Sequence, residues 1–172
     1  MTTKIGFIVE GNTDRQIVEA MARQVLGERF LISTVRLGGL AALPWAYTTV
    51  FKFIEKGYSK IILVLDANSV DPEEIAEKKH RVEQSFREHA LEERIEVCFA
   101  TPVIESWLLA KFQENPEDES DPKTALQRRE VTLDFRGLIE QLDLVEARRR
   151  SPSLDEFLKV LEVIKSQELK AA

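Results

Sequence analysis

The stretch Ile61-Ile62-Leu63-Val64-Leu65-Asp66-Ala67-Asn68, IILVLDAN, runs through five apolar residues and stops on an acid. An apolar run of this length suits a strand covered on both faces in a parallel sheet. A carboxylate at the end of a buried strand is costly to desolvate unless it is paired or binds a cation, so packing does not explain Asp66. Chemistry is therefore expected where this strand ends.

Working outward, KIGFIVE (Lys4 to Glu10) reads as a first buried strand, also closing on an acid. GNTD then makes a turn, with Thr13 and Gln16 at capping-box spacing, and a helix is expected from about Asp14 to Leu26 with Ile17, Met21 and Val25 on one face. FLISTVRL (Phe30 to Leu37) is β-branched, ends at Gly38-Gly39 and reads as the second strand. Pro44 to Lys56 reads as a helix closed by Gly57. After the third strand, Asp71-Pro72-Glu73-Glu74 supplies an N-cap, a proline at the first helical position and an acidic first turn for a helix expected to reach about Glu93. IEVCFA (Ile95 to Ala100) is the fourth strand, and TPVIESWLLAKF turns at Pro102 into a short helix. Strands alternating with helices predict an α/β, four-stranded, mainly parallel Rossmann-like sheet flanked by helices.

The alternation ends there. ENPEDESD (Glu114 to Asp121) reads as a solvated acidic loop, followed by helical patterns after Asp121-Pro122, from about Leu133 to Arg148, and from Ser153. The last carries a capping box at Ser153 and Glu156 and a stripe of Leu154, Phe157, Leu158, Leu161 and Ile164. Residues 1–112 are thus expected to form the α/β domain and 113–172 an acidic loop and helical extension packed on it.

Composition fits this. A chain of 172 residues that is 44% hydrophobic suits one domain with a sizeable core. The single cysteine, Cys98, lies in an apolar strand, which excludes a disulfide scaffold and favours a reduced, cytoplasmic setting. No segment has the roughly 18 uninterrupted apolar residues of a membrane span, so no membrane role is expected. With 24 basic and 30 acidic residues the net charge is −6, which argues against indiscriminate binding of nucleic acid. Trp45 and Trp107 are expected in the core. His80 and His89 lack zinc spacing and read as surface residues. Arg148 to Arg150 suits a helix C-terminus; with Arg128-Arg129 and Lys78-Lys79 it is also the clustered positive charge available to a phosphate backbone.

In an open parallel sheet the functional crevice lies beyond the carboxyl ends of the strands. Glu10 ends the first strand, Asp66 the third with Asn68 two residues on, and Glu105 follows the fourth; Asp14, early in the first helix, can point to the same rim as Glu10. Four carboxylates and an amide oxygen at one edge match Mg²⁺ or Mn²⁺, which prefer hard oxygen ligands. Singly, Asp14 can serve its helix, Asn68 can be a turn residue and Glu105 an exposed first-turn acid.

FIVEGNTD before a helix, then ILVLDAN, resembles the TOPRIM domain, with a glutamate after the first strand and a D-x-D after the third. The Glu10 and Asp14 spacing is similar to the E-G-x-x-E/D form of overcoming-lysogenization-defect (OLD) type nucleases and small TOPRIM-like proteins of bacterial defence islands. PVIESWLLA, PKTAL and SPSLDEFL look like further landmarks of one small bacterial subgroup. The resemblance implies Mg²⁺- or Mn²⁺-dependent phosphoryl transfer: a nuclease nicking or cleaving nucleic acid, antiviral in setting, with an ATPase or another toxin-like protein as partner. It assigns Glu10, Asp14, Asp66 and Asn68 to metal, and Glu10, Asp66 and Glu105 to catalysis, Glu105 as outer ligand or water-orienting base. One position departs: D-x-D is here Asp66-Ala67-Asn68, which removes a negative charge and points equally to a catalytically weak or inactive TOPRIM-like partner subunit. A signalling receiver is the remaining alternative, since it too has an aspartate closing its third strand and a Ser/Thr, here Thr101, closing its fourth.

Overall fold

The computed structural model describes residues 2–38, 43–130, 132 and 134–171. Its centre is the strand read first. β3 (Lys60–Asp66) lies inside a four-stranded sheet of order β2-β1-β3-β4, with β1 (Thr3–Val9), β2 (Phe30–Arg36) and β4 (Ile95–Ala100), every pairing parallel. Each connection passes through a helix: α1 (Asn12–Leu26), α2 (Leu43–Glu55) and α3 (Pro72–Arg87). The expected fold class is what forms.

Side-chain alternation along each strand splits the core into two layers. Phe7, Val9, Ile62, Val64, Cys98 and Ala100 face α1, whereas Ile8, Ile61, Leu63, Leu65, Val97 and Phe99 face α2 and α3. β3 contributes to both layers, which is why its sequence is apolar without alternation. Ile61, Ile62 and Leu63 have no exposed surface, and burying one such side chain stabilises by roughly 1.5–3 kcal/mol. Gly6 gives α2 its close approach, since a Cβ there would meet the Phe53 ring at 3.0–3.1 Å.

The chain after β4 fills the α1 layer with short α4 (Glu105–Leu109), a 3-10 turn at Pro116–Asp118, α5 (Pro122–Arg129), α6 (Phe135–Glu140), α7 (Leu144–Arg150) and the long α8 (Pro152–Ala171). The stripe Leu154, Phe157, Leu158, Leu161 and Ile164 is wholly buried. Trp107 stacks on Phe157 with ring centres 5.0 Å apart, and Phe157 meets Phe7 edge-on at 6.4 Å. These helices therefore share one core cluster with α1 and the sheet. Among the described residues no helix is long and apolar enough to cross a membrane.

Several expectations change. α3 stops at Arg87, not near Glu93: Leu91 N returns to Phe86 O at 3.0 Å through the left-handed Ala90, turning the chain into β4. The helix expected over 133–148 is two, because Asp143 caps α7 by accepting from Val145 N and Glu146 N. Thr13 and Gln16 do not cap α1; Asp14 Oδ2 accepts from Gly11 N at 2.7 Å instead. Nor does Ser153 cap α8. Its hydroxyl donates to Glu117 and receives Trp107 Nε1 at 2.9 Å, while Leu154 N reaches Ser151 Oγ at 3.4 Å. Trp45 is 72% exposed rather than in the core, whereas Trp107 is fully buried as expected. Gly39 and Leu133, named above as a strand end and a helix start, lie outside the described residues.

Candidate metal centre at the carboxyl edge of the sheet

The strand order reverses direction between β1 and β3. The chain steps from β1 outward to β2 through α1, then back across β1 to β3 through α2 on the opposite face. The crevice of such a sheet opens at this switch point, beyond the carboxyl ends of the two strands. Glu10 and Asp66 stand there.

They meet directly. Glu10 Oε1 accepts from Asp66 N at 3.0 Å, across 56 residues of sequence. Asp66 Oδ1 in turn accepts from Ile104 N at 2.8 Å, which fastens the loop after β4 and brings Glu105 to the same rim. Asp14 lies one turn into α1 and spends one oxygen on Gly11 N. Among the described residues no protein donor reaches Glu10 Oε2 or Asp66 Oδ2, and none of the ion pairs includes Glu10, Asp14, Asp66 or Glu105.

The electrostatics follow. Burial, with the charges of Asp14, Glu10 and Glu105 added, pushes the Asp66 carboxyl up to about 8; the Ile104 amide pulls the other way. Burial raises Glu10, with Asp14 adding to the rise and the Asp66 amide opposing it. Asp14 is raised by burial against the Gly11 amide. Glu105 is raised by burial and by Asp14 and Asp121, while Lys123 lowers it. Four acids thus feel one another at one edge, though no three His, Cys, Asp or Glu side chains among the described residues form a ready-made metal cage. Like charges repel, and Glu10, Asp14 and Asp66 have each taken a backbone donor.

Asn68 reaches the same place with less to offer. It is exposed, adopts the left-handed region at φ 51°, and its N donates to Pro102 O at 2.8 Å, so a turn role accounts for its backbone. Its side chain still lines an open cleft of about 430 Å³ with Asp66, Glu105, Ser120, Asp121 and Lys123. A second open depression, of about 470 Å³, lies on the other side of Glu10 beside Gly11, Arg36 and Gly38. Asp71 stays with its helix and caps α3 through Glu73 N.

Three residues at this edge were not foreseen. Asp121 and Lys123 sit in a stretch that reads as a solvated loop and helix start, and only the return of the chain over the sheet brings them to the cleft. That loop is pinned, since Glu117 Oε1 receives Ser151 Oγ at 2.6 Å, Ser153 N at 2.8 Å and Ser153 Oγ at 2.7 Å. Arg36 could have been found, because it ends β2 just as Glu10 and Asp66 follow or end their strands. The basic run Arg148 to Arg150, by contrast, is committed elsewhere: Arg148 pairs with Asp155 and Glu162, and Arg149 and Arg150 pair with Glu114 and Glu146. Lys78 holds Glu74 and the Ala67 carbonyl, and Lys79 pairs with Glu83. His80 and His89 are exposed, His89 stacked on Tyr47. No strand beyond β4 joins the sheet among the described residues, so the fifth strand after which a receiver carries a lysine has no counterpart there.

Compared with known proteins, the chain matches no family model, no curated protein and no solved structure.

Proposed function

We propose that the carboxylates at the β1/β3 crevice hold a divalent cation, Mg²⁺ or Mn²⁺, and that the protein transfers phosphoryl groups there, hydrolysing phosphodiester bonds of nucleic acid. One observation carries this reading: the Glu10–Asp66 contact sets two acids from distant segments side by side at the switch point, each with an oxygen that no protein donor reaches among the described residues. The donor set fits a hard cation, being carboxylates plus the Asn68 amide oxygen. The TOPRIM-like order of FIVEGNTD and ILVLDAN supports the same chemistry, and with it the bacterial-defence setting and ATPase partner that the resemblance implies.

Glu10, Asp14 and Asp66 are the residues to hold the ion, with Asn68 beside them. When bound, the cation supplies Lewis acidity that polarises a phosphate and eases deprotonation of water. The chain's own groups do the rest. In this reading Glu105, raised by burial, takes a proton from the attacking water at its carboxylate. Lys123, across the cleft, offsets charge on the phosphate oxygens. The Ile104 amide keeps Asp66 Oδ1 turned to the loop, so that Oδ2 is left for the site.

Mn²⁺ titration of wild type and of Glu10→Gln tests this, because glutamine keeps an oxygen acceptor for Asp66 N while removing the charge and the second ligand oxygen. Affinity should fall by about tenfold or more, in line with losing a charged ligand; equal affinities would defeat the metal reading. A second reading, a metal-binding partner subunit with little catalysis, is favoured by Asn68, whose turn conformation and missing charge suit a weakened site. Metal binding without cleavage of single- or double-stranded DNA or RNA, with Asn68→Asp tightening the metal, would select it.

A further inference from the structure

α2 follows β2, so its first turn stands at the carboxyl edge of the sheet, where Leu37 and Leu43 pack on the same core cluster as Ala67. Its buried face is set by Ala46, Val50 and Phe53. On one flank Tyr47 packs on Phe86 and His89, which fixes that flank toward α3. Trp45 falls on the other flank, the side on which β2 and Arg36 lie, and is the second most exposed of the large apolar side chains described, at 72%. Trp45 belongs to neither core cluster, so its indole is open to a ligand at the carboxyl edge of the sheet.

The segment 30–54, which runs from β2 through most of α2, carries two cations, Arg36 and Lys52, and no acid, in a chain whose net charge is −6. Arg36 lines the depression next to Glu10 and Gly11, and Lys52 lies two turns below Trp45 on the same flank of α2. Neither Arg36 nor Lys52 enters any ion pair among the described residues.

An indole face for a base and cations for its phosphates are the two parts of a platform for unpaired nucleotides. A duplex keeps its bases stacked on one another and offers none to the indole. We infer that Trp45, with Arg36 and Lys52, holds single-stranded nucleic acid beside the Glu10–Asp66 crevice, so that the polymer enters the site from the β2 side. This rests on the proposed phosphoryl-transfer reading for its biological sense, but not for its binding energy, which needs no metal.

Trp107 is fully buried, so a change in tryptophan emission on adding ligand reports Trp45. Oligo-dT added to the full chain in EDTA should quench emission saturably, and a duplex containing the same strand should bind several-fold more weakly. By fluorescence anisotropy of a labelled oligo-dT, Trp45→Ala should lose about tenfold in affinity and Trp45→Phe should retain part of it. Arg36→Ala should lower the salt dependence of binding by about one ion. Unchanged affinity in Trp45→Ala overturns the inference, as does equal binding of the duplex. A concentration-dependent dimer that Trp45→Ala abolishes, with no effect on oligo-dT, would also overturn it and assign the indole to a contact between copies. Because these measurements are made in EDTA, loss of the metal site in the Mn²⁺ titration and loss of strand binding here are separate results.

Discussion

Asp66→Asn should make the metal-free protein more stable at alkaline pH and leave it unchanged at acid pH. The Asp66 carboxyl rises from 3.8 to about 8 in the folded protein, mainly through burial and then through the charges of Asp14, Glu10 and Glu105. Between those two values the folded state binds the proton more readily than the unfolded chain does. Stability tied to this group is therefore fully present below about pH 4 and is lost as pH rises toward 8. About four pH units at 1.36 kcal/mol each set a ceiling of about 6 kcal/mol. Discounted for the water that still reaches the half-buried side chain, about 2–4 kcal/mol is expected. The side-chain amide that the substitution introduces would still accept from Ile104 N, so the loop after β4 keeps its anchor. Urea unfolding followed by circular dichroism at about pH 3.5, 6 and 8 in EDTA gives the comparison. With an m-value of about 2 kcal/mol/M, the variant's midpoint should exceed that of wild type by about 1–2 M at the alkaline end and match it at the acid end. Adding Mn²⁺ at about a hundredfold its dissociation constant should stabilise wild type by about 2.7 kcal/mol and the variant by much less. A difference that is flat across the range, or that grows toward acid, would refute the account of Asp66 as a strained, uncompensated charge.

Two further outcomes concern the parts that carry the site. Phe157→Ala removes the ring that Trp107 stacks on and Phe7 meets edge-on, and should cost about 3–5 kcal/mol in chemical denaturation. Glu117→Ala deprives Ser151 Oγ, Ser153 N and Ser153 Oγ of their common acceptor; it should cost about 1–3 kcal/mol and raise amide exchange across 114–124, with β3 unaffected.

Much of the fold was legible because local patterns and final surroundings agree. KIILVLD is apolar without alternation, and β3 is covered on both faces; the α8 stripe reads at helical spacing and is buried residue for residue. Strand ends fall in the crevice by topology alone, so Glu10 and Asp66 could be paired without seeing them. What misled the reading were side chains with two local uses. Ser153 has capping-box spacing, yet its hydroxyl is taken by Trp107 and Glu117 from distant segments. Trp45 has the character of a core residue, yet only the packing of Tyr47 on α3 decides which flank of α2 turns outward.

By itself the sequence determined the alternation of strands and helices, and with it the edge at which the acids gather, because hydrophobic periodicity and turn chemistry act over a few residues. Tertiary structure alone decided that Glu10 grips the Asp66 amide, that Asp121 and Lys123 close the far wall of the cleft, and that Arg148 to Arg150 are consumed by Glu114, Glu146, Asp155 and Glu162. Each of these joins segments far apart in the chain, and the energy of such a contact depends on where the whole core places them.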